Sequence, residues 1–342
     1  MSLAAQSISV TLGNLLYDTH VASLSVDLGV LPAVNHAHCV FPLDVPVEAA
    51  PGDEAALELD IGDGATKILT GQVETVTRLF SGTRVTIADA GAKLAGLRPS
   101  ATYQSQTLRA TITALANEAG VSMGRVALAA PTQFPNYVCH QQRTITEHIK
   151  ELARIGNGLA VVDEDGKLSI LSRTPGPADS ALRYGREFLE YEMRDTPVPS
   201  SRVLVGNGPA GAAADPNVFR HSTEPLTGGG DDPSPGNLWD PRPALRTGDL
   251  VRQANTEINT RRNARTKQLK ANCWLVPTLR PGAVLEIQDL PGPLSKGPWL
   301  ITEVTHSIDM NAGSRTRFSG VYAGGDLAGL LSSAAGLIGG LL

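Results

Sequence analysis

One stretch of this chain is written twice. The first copy runs Pro51-Gly52, then Leu57-Glu58-Leu59-Asp60, then Val73-Glu74-Thr75-Val76-Thr77-Arg78, then Ser81-Gly82-Thr83-Arg84. The second runs Pro281-Gly282, then Leu285-Glu286-Ile287-Gln288, then Ile301-Thr302-Glu303-Val304-Thr305-His306, then Gly313-Ser314-Arg315-Thr316-Arg317. A Pro-Gly pair sets a turn, because proline supplies a φ near −65° and glycine accepts a positive φ. In each copy the turn feeds a short strand and then a long hairpin. A chain with this unit on both sides of a different middle segment is expected to fold it twice. Two like units per chain also point to symmetry. Three chains would give six units, a pseudo-sixfold ring able to join a sixfold tube to a threefold object.

The segments around the copies support a β-rich α+β fold. Ile8, Val10 and Leu12 alternate with polar residues, as do Leu24, Val26 and Leu28, so each strand buries one face. Ala55 to Ile61 alternates and ends at the turn Gly62-Asp63-Gly64, and Phe80-Ser81-Gly82 reads as a hairpin loop. Such short strands suit a small barrel or sandwich. After Leu97 the period changes. Leu108, Ile112, Leu115, Ala116 and Ala119 predict a helix over 107–119, stopped by Gly120. Thr144-Ile145-Thr146-Glu147 has the form of a capping box, followed by the stripe Ile145, Ile149, Leu152 and Ala153 and by Gly156. Asp165-Gly166 between apolar runs predicts another hairpin. Residues 206–243 hold seven glycines and seven prolines, which reads as a long loop. A basic helix is expected from Asp249 to about Lys267, with strands returning from Cys273 to Phe318.

The expected architecture is two similar small β-barrels flanking a two-helix α+β domain, with a long Gly/Pro loop and an apolar C-terminal tail. Its segments are a first barrel over 1–97, the α+β domain over 98–200 and a Gly/Pro-rich connection over 201–248. A helix with the second barrel follows over 249–322, and then the tail over 323–342.

The net charge of −5 makes the chain a poor general binder of nucleic acid, whose phosphates reward dense Lys and Arg. The basic helix, with Arg252, Arg261, Arg262, Arg265 and Lys267, therefore reads as a solvated or interface-facing surface. Cys39, Cys139 and Cys273 form no CxxC motif, so neither a disulfide framework nor a zinc ribbon is expected, and a reducing compartment of synthesis fits. The start, Met1-Ser2-Leu3-Ala4-Ala5-Gln6, lacks the basic and apolar regions of a signal peptide. No apolar run reaches the length of a membrane span.

The chemistry-bearing residues are sparse. His36 and His38 share a strand face while Cys39 points the other way, and His20, Cys139 and His140 lie far off in sequence. Zinc needs three or four convergent ligands, so no metal and no cofactor are expected. There is no Gly-x-Ser-x-Gly elbow and no carboxylate pair that can be singled out, so no catalytic residue is assigned. The stretch from Leu327 to Leu342 has no charge. Exposed, it would be an aggregation hazard, so Leu327, Leu330, Leu331, Leu337, Ile338, Leu341 and Leu342 are expected to contact a partner.

Three further sets of residues carry a family resemblance. The first is Leu69-Thr70-Gly71-Gln72-Val73-Glu74 with Phe80-Ser81-Gly82. The second is Tyr103-Gln104-Ser105-Gln106-Thr107 leading into the first helix, followed by Gln142, Thr144, Glu147, Leu152, Ala153 and Gly156. The third is Leu279-Arg280-Pro281-Gly282 leading to Gly297-Pro298-Trp299-Leu300-Ile301 and to His306 at a strand end. In this order they resemble the baseplate hub proteins of contractile phage tails, of the late control protein D type, and the hub half of the type VI secretion spike protein. The resemblance covers about residues 7 to 322. It implies a homotrimer whose barrels form a ring beneath the tail tube and seat the piercing spike. The implied partners are the chain itself, a separate spike protein, the tail tube protein, the tape-measure protein and other baseplate proteins, with no specific nucleic-acid sequence. The implied location is the virion tail tip, after synthesis in the bacterial host cytoplasm. Two alternatives from other classes are a phage-associated cell-wall-cleaving enzyme and a secreted binding module.

Overall fold

The computed structural model describes residues 7–18, 20–128, 133–173, 177–197, 202–206, 238–242, 245, 248–291, 297–309 and 313–323. The first β segment comprises β1 to β7: Ser7–Leu12, Leu15–Tyr17, Ser23–Gly29, His36–Pro42, Glu54–Asp60, Thr66–Leu79 and Gly82–Asp89. The middle segment holds α1 (Gly91–Gly96), β8 (Ala101–Thr107), α2 (Leu108–Glu118), β9 (Met123–Val126), β10 (Gln133–Cys139), α3 (Ile145–Ile155), β11 (Gly158–Val162) and β12 (Leu168–Ser172). Then come β13 (Ser180–Arg183), β14 (Phe188–Asp195), β15 (Arg202–Gly206), β16 (Leu238–Arg242) and α4 (Gly248–Ala264). The last strands are β17 (Lys267–Trp274), β18 (Val284–Gln288), β19 (Trp299–Asp309) and β20 (Gly313–Tyr322).

The written repeat is a folded repeat. In the first segment the strands pair in the order β3-β4-β7-β6-β5-β1, and in the second in the order β14-β17-β20-β19-β18-β13. Neighbours are antiparallel throughout, except that β13 runs parallel to β18. The Pro-Gly turns match atom for atom. Asp53 N donates to Ala50 O at 3.1 Å and Ala283 N to Arg280 O at 3.2 Å, closing four-residue turns with Gly52 at φ 97° and Gly282 at φ 90°. Gly52 N then donates to Val73 O at 2.8 Å, and Gly282 N to Ile301 O at 2.8 Å. Both long strands carry an irregularity two residues on, between Val73 and Thr75 and between Ile301 and Glu303. One extra residue there bends and twists the strand.

The two units share one sheet of thirteen strands, because β19 pairs antiparallel with β3 from Glu303↔Gly29 to Asp309↔Ser23. A single apolar core underlies both, from Val10, Leu57 and Ile87 in the first unit to Leu269, Ile287 and Trp299 in the second. At this junction Leu24 and Val26 are buried beneath β19, and Thr305 Oγ1 donates to Asp27 Oδ1 at 2.7 Å on the opposite face.

The middle segment has its own core, and its local signals form as read. Thr144 Oγ1 accepts from Glu147 N at 3.4 Å while Glu147 Oε2 accepts from Thr144 N at 2.8 Å, which completes the capping box of α3. The backbone donor holds the Glu147 carboxyl below its ordinary value. The stripe Ile145, Ile149, Leu152 and Ala153 is buried against Ile112 and Leu115 of α2. The Asp165-Gly166 turn joins β11 to β12. Other elements sit differently from the sequence expectation. β13 and β14 pair with β18 and β17, so residues 180–195 belong to the large sheet. α4 buries Leu250, Val251, Ala254 and Ile258 in the middle core. The second strand set starts at Lys267, because Lys267, Leu269 and Ala271 already follow a strand pattern that the basic run conceals. The Gly/Pro stretch has β15 and β16 at its ends, paired parallel, while residues 207–237 lie outside the described residues.

Candidate assembly sites

The tip of the β11–β12 hairpin meets both β units. On the first, Thr70 Oγ1 donates to Glu164 O at 2.7 Å, and Lys67 Nζ lies 2.9 Å from Asp165 Oδ1. Glycine is needed at 166, where the turn has φ 73° and an added Cβ would lie 3.3 Å from Thr70 O. On the second unit, Gly282 packs so closely on the hairpin that a Cβ would lie 2.3 Å from Leu171 Cδ1. Its counterpart Gly52 faces open space, so the repeated turn has a docking partner in the second copy only.

Arg280 joins all three parts. Its guanidinium donates to Ile68 O at 3.2 Å and to Lys67 O, and it pairs with Glu164 at 3.5 Å. Burial pulls its pKa below the ordinary arginine value, against the opposing pull of Glu164, Asp163 and Asp165. Three acceptors on two segments suit a planar fork of five donors.

Beneath this contact lies a cleft of about 450 Å³ whose walls include Asn35, Asp89, Arg125, Ser169 and Arg280. Asp89 ties the β7 end to the β3–β4 loop. It accepts from Asn35 Nδ2 at 2.7 Å, from Asn35 N at 3.3 Å and from Gly91 N at 2.8 Å, and Asn35 Oδ1 accepts from Gly29 N at 2.7 Å. Burial pushes the Asp89 carboxyl up to about 7 from 3.8, although the three donors oppose the rise. A carboxyl raised on folding stabilises below its unfolded pKa, and that contribution is lost as pH rises through the folded value. Wild type is therefore expected to lose melting temperature relative to Asp89→Asn between pH 4 and pH 7. Thermal scans at half-unit steps measure this, and a constant difference between the two proteins would contradict it.

The sequence candidates for metal chemistry do not converge. The His36 and His38 rings stack at 6.3 Å on one face of β4, and Cys39 is buried on the other. His36 Nε2 lies 3.6 Å from Glu74 and His38 Nδ1 lies 3.2 Å from Thr86 Oγ1. Burial pushes the Cys39 thiol up to about 12, which makes it a poor thiolate. Cys139 is buried in the middle core, and the neighbouring His140 ring lies 5.6 Å from His148. Among the described residues no three His, Cys, Asp or Glu side chains are grouped to hold a metal.

Within the basic stretch Arg252 and Arg265 are exposed, whereas Arg261 serves the middle domain. Arg261 is buried and donates to Arg154 O at 3.2 Å, near the end of α3, where a cation meets the negative end of the helix dipole. Burial, together with Arg154, Arg173 and Arg265, pulls its pKa down to about 9. His306, expected at a strand end, lies within β19, fully buried, with Nδ1 3.0 Å from Thr316 Oγ1. The tail residues Leu327, Leu330, Leu331, Leu337, Ile338, Leu341 and Leu342 lie outside the described residues.

Two strand edges lack a strand partner among the described residues. β14 begins the sheet path and pairs with β17 alone. In the first unit, β5 covers β6 only from Thr66 to Gln72, and beyond it β6 pairs with β7 alone among the described strands. The loop after β6 presents Phe80 fully exposed, and Leu43 is 75% exposed.

The likeness to known proteins follows this architecture. No family model matches the chain, and no curated protein matches its sequence. Solved structures do match. The 43 kDa tail protein of prophage MuSo2 from Shewanella oneidensis is 16% identical, with 93% of this chain and 98% of that one covered at a TM-score of 0.67. The tail protein from Neisseria meningitidis MC58 is 12% identical, with coverage of 93% and 96% and a TM-score of 0.70. An E. coli type VI secretion component, described as structurally similar to bacteriophage T4 tail proteins gp27 and gp5, is 13% identical. There the coverage is 92% of this chain and 76% of that one, with a TM-score of 0.62. Nearly end to end, this chain has the fold of phage tail proteins and of a type VI secretion component.

Proposed function

We propose that this chain is a structural baseplate hub of a contractile phage tail or a related injection machine. Each chain supplies two small β-barrels, and three chains form a pseudo-sixfold ring that adapts the hexameric tail tube to a trimeric spike. The observation that carries this reading is the duplicated strand order within one continuous sheet. A ring of six like units from three chains needs two such units per chain, rigidly joined, and the β3–β19 ladder joins them. The fold shared with tail proteins supports the setting. The role is mechanical and not enzymatic. Its place is the virion tail tip, and its partners are further copies, a separate spike protein, the tail tube protein and other baseplate proteins. The apolar tail from Leu327 to Leu342 is the proposed contact with another copy, the spike or the tape-measure protein. The mass of the purified protein tests the reading: three copies are expected, alone or once the spike protein is added.

A further inference from the structure

The duplication specifies a contact that one chain cannot make by itself. Within the chain, β19 of the second unit pairs with β3 of the first. The counterpart of β19 is β6, because Val73 and Ile301 receive the same turn hydrogen bonds and the same bulge follows each. The counterpart of β3 is β14, because each is the strand that follows β4 or β17 in the shared order. Among the described residues both counterparts have an edge without a strand partner, β14 along its length and β6 beyond Gln72. Matching the ladders residue by residue sets Thr77 against Thr305 and Val85 against Phe318, then Cys39 against Ala271, and then Leu24 against Tyr191 and Asp27 against Arg194.

We propose that β6 of one chain pairs antiparallel with β14 of a second copy, in the register of the β3–β19 ladder. The pairing then runs Thr75 to Thr196, Val76 to Asp195, Thr77 to Arg194, Arg78 to Met193 and Leu79 to Glu192. Phe80 lies over Tyr191 at the hairpin end. The proposal rests on the trimeric ring reading and gives that ring its joint. Each chain offers one edge of each kind, so the contact is heterologous and closes only as a ring or continues as a filament.

The side chains fit this register. Val76, Arg78 and Phe80 lie on the face that Val304, His306 and Ile308 occupy in the intrachain joint. Tyr191 and Met193 on β14 are half-buried and already packed against the core, as strands at a joint would be. Arg78 falls diagonal to Asp195 of the second copy on that face, the spacing at which long side chains meet across a ladder. On the outer face Arg194 is already paired with Glu192 of its own strand at 3.3 Å, so its charge does not oppose the approach. The two joints also differ in chemistry. The intrachain one buries Leu24 and Val26 against β19, whereas this one brings together Arg78, Asp195 and two aromatic rings. It is the weaker and more salt-sensitive of the two, as suits a contact made on assembly.

Cysteine pairing tests the register. Thr77 and Arg194 are both exposed, and their intrachain counterparts Thr305 and Asp27 touch across the ladder at 2.7 Å. In Thr77→Cys/Arg194→Cys, mild oxidation is expected to link chains into dimers and a closed trimer on non-reducing gels. Thr75→Cys/Arg194→Cys, two residues out of register, is expected to link at least 10-fold less. A second pair of variants avoids oxidation. Arg78→Glu is expected to weaken self-association about 10-fold at unchanged melting temperature, and Arg78→Glu/Asp195→Arg to recover most of it. A trimer by mass without the Thr77–Arg194 link overturns this joint and leaves the hub reading standing. Neither association nor a link, with or without the spike protein, overturns both.

Discussion

Gly71→Ala is expected to cost the protein about 3–4 kcal/mol, enough to lower the yield of folded chain at 37 °C. Gly71 stands where three strands meet, opposite Ala55 of β5 and Asp89 of β7. A Cβ at this position would lie 2.0 Å from Ala88 O, 2.7 Å from Ala88 C and 3.0 Å from Asp89 Cα. All three are backbone atoms of a paired strand, so no side chain can swing away to relieve the overlap. The β6–β7 ladder has to open, and the Asp89 network at its end opens with it. Gly96→Ala is the control, because a Cβ there meets nothing within 4 Å. Thermal unfolding of the two variants beside wild type measures the difference. Equal melting temperatures would show that the strands separate more easily than this packing allows.

Arg280→Leu is expected to cost about 3 kcal/mol and to loosen the three parts from one another. Leucine keeps much of the stem but leaves the Lys67 and Ile68 carbonyls and the Glu164 carboxylate without the guanidinium. Hydrogen bonds from a charged donor are worth about 1.5–3 kcal/mol, and an acceptor left dry costs more than the bond was worth. Arg280→Lys should recover less than half, since an ammonium on a flexible stem cannot serve acceptors on two segments as a fork does. Urea unfolding separates stability from cooperativity. A shifted midpoint with a lower slope is expected, because the middle domain then unfolds apart from the sheet. A wild-type curve for Arg280→Leu would remove the bridging role.

Local chemistry made much of this fold legible. The Thr144–Glu147 capping box, the Asp165-Gly166 hairpin and the two Pro-Gly turns each have their cause within a few residues, and each is present in the structure. The duplication was visible because the turn, the short strand and the long strand recur in the same order. The β3–β19 ladder was not, because residues 278 apart in sequence pair without any local mark of it. For the same reason β13 and β14 read as part of the middle domain. The alternation of Arg183, Glu192 and Arg194 with apolar residues marks strands but not their partners. His306 was placed at a strand end by the family resemblance alone, whereas it is fully buried within β19 with its ring against Thr316 Oγ1. Arg280 carried no signal beyond its place before a Pro-Gly turn, since its three acceptors come from Lys67, Ile68 and Glu164.

The central claim is that this protein works as three chains. Light scattering on the purified protein, alone and mixed with the spike protein made beside it, measures that directly. The account predicts a mass near three times 35.9 kDa, either in both samples or as a complex formed once the spike protein is added. A single chain of 35.9 kDa in both samples, at every concentration tested, would contradict it.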